Sequence, residues 1–260
     1  MMNRWFLSVL LLGILTVGAV PAWADTDASD SVYVVQDLKG DVMILKNGKD
    51  RSTVLQEGDE VESGDEIQVG HDGEATLTLG DDQVIRLESD TKVKLSEAEP
   101  NKDGGFLTRL QLSAGNLLAE VKHLLEKKSK FEVESGGMIC GVRGTIFEVS
   151  NEDGEVGAQT HEGVVACSSG SGVEERVKAG QGATFKNRRL LRRMALGKAG
   201  QERLAQWRQF RQVIGEMRAA RKAGKIREFR RDRLEKIREQ LRKRAAKRKH
   251  RVPPPALRRR

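Results

Sequence analysis

Cys140, Arg143 and Gly144 stand together in the stretch ICGVRGTIFEV, residues 139–149, and no other part of the chain concentrates so much distinctive chemistry. A guanidinium between Gly141 and Gly144 offers a planar fork that could grip a partner's carboxylate bidentately. A structural role competes with that one and is the expectation here. The glycines would admit a bulge or close backbone approach where a strand begins, and Arg143 would pair with a carboxylate of its own acidic surroundings. Cys167 is the only other cysteine. In an oxidising, exported compartment an even pair usually bridges. Closing a loop of about 28 residues would stabilise the fold by roughly 3 kcal/mol on the chain-entropy model. Two buried free thiols are the alternative, since no further metal ligands stand near either cysteine.

Other chemistries find little support. His71, His123, His161 and His250 share no metal-ligand spacing with cysteine or carboxylate. There is no GxSxG elbow, and the glycine-rich pieces SGGMICG and SSGSGVEE lack the following helix and the GK[ST] ending of a phosphate loop. Asp59, Asp65, Asp72, Asp81 and Asp82 crowd a short region, yet neither an EF-hand loop nor a calcium-binding nonapeptide is matched. The local repeat KGDVM, EGDEV, SGDEI explains them more simply: Gly takes positive φ and Asp closes an Asx turn before an apolar strand. No catalytic residue, cofactor, metal or small-molecule substrate is expected.

These residues must be positioned by short strands. Between Ser31 and Lys186, Gly and Asp punctuate alternating runs such as GDVMIL, EATLTL, QVIRLE, KFEVES and TIFEVS. A strand every 8 to 12 residues is the spacing of an all-β sandwich or a solenoid-like stack of short antiparallel strands. In EATLTL, Ala75, Leu77 and Leu79 should face a core while Thr76 and Thr78 face water. One stretch is ambiguous: Leu117, Leu118, Val121, Leu124 and Leu125 in NLLAEVKHLLEKKSK suit a short helix about as well as a strand.

The ends differ from this middle. Residues 1–24 read as a signal peptide, with Arg4 before an apolar run and Ala22-Trp23-Ala24 as cleavage site. Trp5–Ala24 is also long enough to span a bilayer as an uncleaved anchor. No cysteine follows the site, so no lipoprotein anchor is expected. Residues 25–186 hold 17 basic and 32 acidic residues, a net of 17 − 32 = −15, and residues 187–260 hold 28 basic and 6 acidic, a net of 28 − 6 = +22. Two physically different objects are joined near residue 187.

The order of GDVMILKNG, the long LQEGDEV-to-TKVKL segment, LQLSAGNLLAEV, FEVESGGMICGVRGTIFEV, THEGVVAC and VKAGQGATF resembles the FecR domain over about Val42 to Phe185. Its most recognisable element is matched at Val142, Arg143, Gly144, Thr145, Phe147 and Val149. The resemblance implies an all-β, extracytoplasmic, non-enzymatic module that makes protein contacts. Founding members resemble anti-sigma regulators, with a cytoplasmic sigma-binding domain ahead of a transmembrane helix. Only Met1–Arg4 precede the apolar segment here, so the chain is similar to stand-alone exported FecR domains. A membrane-anchored regulator of the same type, with residues 5–24 as its uncleaved helix, is the alternative.

Residues 187–251 have the composition of a long basic helix, and residues 252–260, VPPPALRRR, that of an extended terminus. Leu190 and Met194 begin the apolar pattern. Leu204, Trp207, Phe210, Ile214 and Met217 then form a stripe on one helix face. The stripe restarts at Ile226 and Phe229, then Leu234, Ile237 and Leu241, so a bend is expected near Gly224. Such an arm could lie on an anionic membrane with Trp207 and Phe210 inserted. It could equally pack against an unknown envelope protein or against its own β domain. Nucleic acid is not an expected partner of an exported chain without a recognition fold. The sequence therefore predicts an exported, periplasmic binding or scaffolding protein.

Overall fold

The computed structural model describes residues 32–229 apart from 81, 101–105, 123–128, 143 and 170–173, together with 231, 232, 235, 236, 239 and 242. The signal segment, Arg143, the stripe residues Leu234, Ile237 and Leu241, and the terminus 252–260 lie outside the described residues.

Seventeen strands are described: β1 (Tyr33–Lys39), β2 (Val42–Leu45), β3 (Thr53–Val54), β4 (Glu60–Val61), β5 (Glu66–Val69), β6 (Glu74–Leu79), β7 (Gln83–Leu87), β8 (Lys92–Pro100), β9 (Phe106–Val121), β10 (Lys130–Ser135), β11 (Met138–Val142), β12 (Thr145–Glu152), β13 (Glu155–Glu162), β14 (Val164–Ser168), β15 (Glu174–Lys178), β16 (Gln181–Lys186) and β17 (Arg189–Ala195). Their registers form two layers that share one strand. The first sheet runs β4-β1-β6-β7-β9-β12-β13-β16-β17. The second runs β3-β2-β5-β8-β9-β10-β11-β14-β15. Among these pairs all are antiparallel except β9 with β10.

β9 is the shared strand. Its first half pairs with β8 and β10, and its second half, from Gly115 onward, pairs with β7 and β12. Gly115 has φ +86°, and a Cβ there would lie 2.5 Å from the Thr91 Cα, so only glycine lets the strand turn between layers at this spot. The helical alternative for Asn116–Val121 fails because this half-strand has ladder partners on both sides, and Leu117 and Leu118 are both buried.

The core between the layers includes Tyr33, Val35, Ile67, Leu87, Leu112, Leu117, Phe131, Phe147 and Phe185. Phe131 and Phe147 meet edge to face, with centroids 5.9 Å apart. Within this core Tyr33 donates its hydroxyl hydrogen to Gln83 Oε1, and burial pushes the phenol's pKa above its ordinary value.

Two expectations about the chain's second part change. Arg189–Ala195, read as the start of the helical arm, is strand β17, because the Asn187-Arg188 turn returns the chain along β16. The acidic-to-basic boundary is thus compositional, and the β fold extends to residue 195. Only then does α1 (Gly197–Lys222) begin, about 39 Å long at 1.5 Å per residue. It ends where a bend was expected: Ala223 caps it, Gly224 has φ +68°, and helical backbone resumes at Ile226–Phe229.

Candidate functional site

Asp59 and Asp65 of the Gly-Asp repeats were expected to close turns before apolar strands. Gly58 and Gly64 have φ +92° and +94°. Asp59 Oδ2 accepts the Gln56 N–H at 2.8 Å, and Asp65 Oδ2 accepts the Glu62 N–H at 2.9 Å. Asp65 also accepts from the Asn47 N–H and from Lys46 Nζ, each at 2.9 Å. Both carboxylates are turn-closing groups, held by the backbone that a metal site would need them to leave.

Cys140 and Cys167 face each other across β11 and β14 and form a disulfide, with Cα atoms 4.1 Å apart. Both are buried. The family element lies directly after Cys140, at a crossing between layers. Val142 closes β11 in the second sheet, Gly144 turns with φ +64°, and Thr145 opens β12 in the first. Val142, Thr145, Phe147 and Val149 are all buried. The return crossing packs on this one: a Cβ on Gly163 would meet the Gly144 carbonyl oxygen at 2.7 Å. The element therefore forms a seam between layers; Arg143, expected to pair with a carboxylate, lies outside the described residues.

The most elaborate polar site was not foreseen. It lies beneath α1, on the outer face of the first sheet. Trp207 is 2% exposed and packs with Val84, Leu118 and Ile146, with Leu204 and Phe210 beside it. Its indole N–H donates to Glu120 Oε2 at 2.8 Å, and the same oxygen forms an ion pair with Arg211, whose Nε lies 2.7 Å away. The Trp207 and Phe210 rings lie 5.3 Å apart, and the Arg86 guanidinium sits 4.8 Å over the Phe210 ring. Ile214 and Met217 continue the buried row.

Ion pairs border this row. Arg203 donates to both Glu148 and Glu88, Arg208 pairs with Glu162 at 2.6 Å, and Arg221 donates to the Gln36 carbonyl at 3.3 Å. Burial works to raise the Glu148 carboxyl, but His161 and Arg203 outweigh it and hold the carboxyl below its usual range. Burial likewise opposes the Arg203 charge, and Glu148 with Glu88 overcomes it, raising the guanidinium above its ordinary value. Arg221 has Glu57 only at 3.9 Å, and burial lowers its guanidinium. His161 Nε2 lies 3.4 Å from Glu148 Oε1 without hydrogen-bond alignment.

The predicted stripe of Leu204, Trp207, Phe210, Ile214 and Met217 is thus one surface, and it faces the protein's own sheet. Insertion of Trp207 and Phe210 into a membrane is corrected by that burial: the desolvated contact a bilayer would supply is made by Val84, Leu118 and Ile146. Thr78, expected to face water, is 2% exposed and lies in a pocket closed by Arg218, Arg221 and Lys222. The arginines were legible in retrospect. Arg203, Trp207, Arg211, Ile214, Arg218 and Arg221 recur at intervals of 4, 4, 3, 4 and 3, the same helix face as the stripe. What this arrangement can do is hold the helix: it joins an acidic sheet face to a basic, apolar helix face.

Residues 65–166 match the family model described as FecR protein. That window runs from the third Gly-Asp turn, at Asp65, to the strand carrying Cys167, and it is narrower than the resemblance drawn from the sequence. Two crystal structures of a protein provisionally described as an anti-sigma factor from Parabacteroides distasonis ATCC 8503 resemble the chain, at 21% and 19% identity and a TM-score of 0.42 each. Each match covers 50% of this chain and 59% of the other, so it spans less than two thirds of that protein. Among curated proteins, none matches the chain. No described helix is long and apolar enough to cross a membrane.

Proposed function

We propose that this FecR-domain chain is a non-catalytic binding or scaffolding component of the cell envelope, exported to the periplasm. Its β sandwich carries binding surfaces, and its cationic C-terminal arm attaches it to an anionic surface or partner. One observation carries the second half of this statement. Docking α1 through its apolar row leaves Lys198 and Lys222 exposed, and residues 223–260 add 17 basic against 4 acidic residues, a net of 17 − 4 = +13. Attachment then works through charge, without aromatic insertion, and is weakened by salt.

The test is fractionation of the native envelope. The full chain should sediment with envelope material at low salt and be released at about 0.5 M salt, where charge attraction is screened over a few ångströms. Replacing Arg242, Lys243, Arg244, Lys247, Arg248, Lys249 and Arg251 with Gln should release it at low salt. Retention through high salt would favour residues 5–24 as an uncleaved anchor. A soluble fraction at every salt concentration would remove the attachment altogether.

A further inference from the structure

The first sheet ends on β17, and among the described residues no strand pairs with that strand's outer edge. Four large hydrophobic side chains are exposed in the described structure, and two of them, Leu190 at 37% and Leu191 at 60%, lie on this edge. The strand is held firmly in place. Asn187 and Arg188, with φ +51° and +62°, form a two-residue turn of the type whose twist suits a hairpin, and six residue pairs tie β17 to β16. Leu191 is the bulge residue, without a partner on β16.

Free edges are ordinarily guarded by charge, bulges or cover. Here the guard is one-sided. Arg188, Arg189 and Arg192 form no ion pair among the described residues, while Arg193 pairs with Glu175 of β15. A second copy adding its own β17 would bring Arg189, Arg192 and Arg193 of each chain together, and like charges across a strand pair destabilise it. An extended acidic segment meets the opposite situation: unpaired edge amides and carbonyls, arginines at two positions, and an apolar side chain between them.

We propose that β17 is an acceptor edge for an extended acidic segment of a partner protein. The segment adds as a further strand to the first sheet along Arg189–Ala195, with carboxylates at Arg189 and Arg192 and an apolar side chain against Leu191. This rests on the protein being a binding component, but it is independent of how the arm attaches.

Two synthetic peptides of equal charge test it on the full chain: acetyl-(Glu-Val)4-amide, which can pair as a strand, and acetyl-(Glu-Pro)4-amide, which cannot donate a regular ladder. Hydrogen exchange of the β17 amides should slow several-fold with the first peptide and not with the second. Both Leu191→Glu and Arg192→Glu should weaken binding of the first, measured calorimetrically, by about tenfold. Leu191 has no strand partner, so its replacement leaves the hairpin paired. Equal binding of the two peptides, which is simple attraction to the basic arm, would overturn the proposal. So would unchanged β17 exchange at about 1 mM peptide, or a peptide-free dimer in sedimentation with β17 already protected. Envelope release by salt is unaffected by either variant, so failure here and failure of the attachment are read separately.

Discussion

Glu148 couples pH to the helix contact through its pairing with Arg203. Its carboxyl is held below the usual range in the folded state by His161 and Arg203, against the opposing effect of burial. A carboxylate with a depressed folded pKa adds stability that is present above its unfolded value, about 4.3, and is lost as pH falls through the folded one. Acid should therefore loosen α1, and Glu148→Gln should flatten the dependence of unfolding free energy on pH below about 4.3, as followed by urea titration. Trp207 controls the same contact through packing. Trp207→Ala should lower stability by about 3 kcal/mol or more and speed amide exchange in α1 before it does so in β9 or β12.

At the scale of elements, the layers depend on a few crossings. Gly115→Ala forces a Cβ to 2.5 Å from Thr91 at φ +86°. It should cost more than about 1 kcal/mol in urea unfolding, since both strain and overlap oppose it. The Cys140–Cys167 bridge joins neighbouring strands of the second sheet, separated by 27 residues of sequence. Reduction, or the double change to Ala, should lower stability by roughly 3 kcal/mol, read as a shift of the urea midpoint with and without reductant. The bridge was open to inspection in the chain, and the crossing glycine was not. Two cysteines in alternating strand runs suggested their own pairing, and positive-φ turns announced themselves as Gly-Asp. Gly115 was silent, because nothing in LSAGNLL distinguishes a crossing glycine from a strand glycine; the cause is the backbone of Asp90–Thr91, distant in sequence.

For the whole molecule, the −15 and +22 halves meet within one chain. Arg203, Arg208 and Arg211 join Glu88, Glu148, Glu162 and Glu120 across the first sheet. Arg208–Glu162, the exposed pair of the set, weakens most in salt, the partly buried pairs weaken less, and buried apolar contact does not. Raising salt should therefore accelerate amide exchange in α1 several-fold while leaving the β9 and β12 amides protected, and mass spectrometry of exchanged peptides reads both at once.

Sequence alone determined what is local or compositional. Alternation of period two set the strands, helical spacing set the stripe and its arginines, Gly-Asp set the turns, and charge counting set the division of the chain. The VRGT element carried the resemblance to the FecR domain, because it is a short local pattern of residue types. Tertiary structure decided what depends on partners far along the chain. It made Arg189–Ala195 a strand, because β16 offered a ladder to residues whose intrinsic preference is helical. It also turned the apolar stripe inward, because the acidic outer face of the first sheet supplied both its carboxylates and its apolar contacts. Propensity and periodicity describe a segment's options; the surface that segment meets chooses among them.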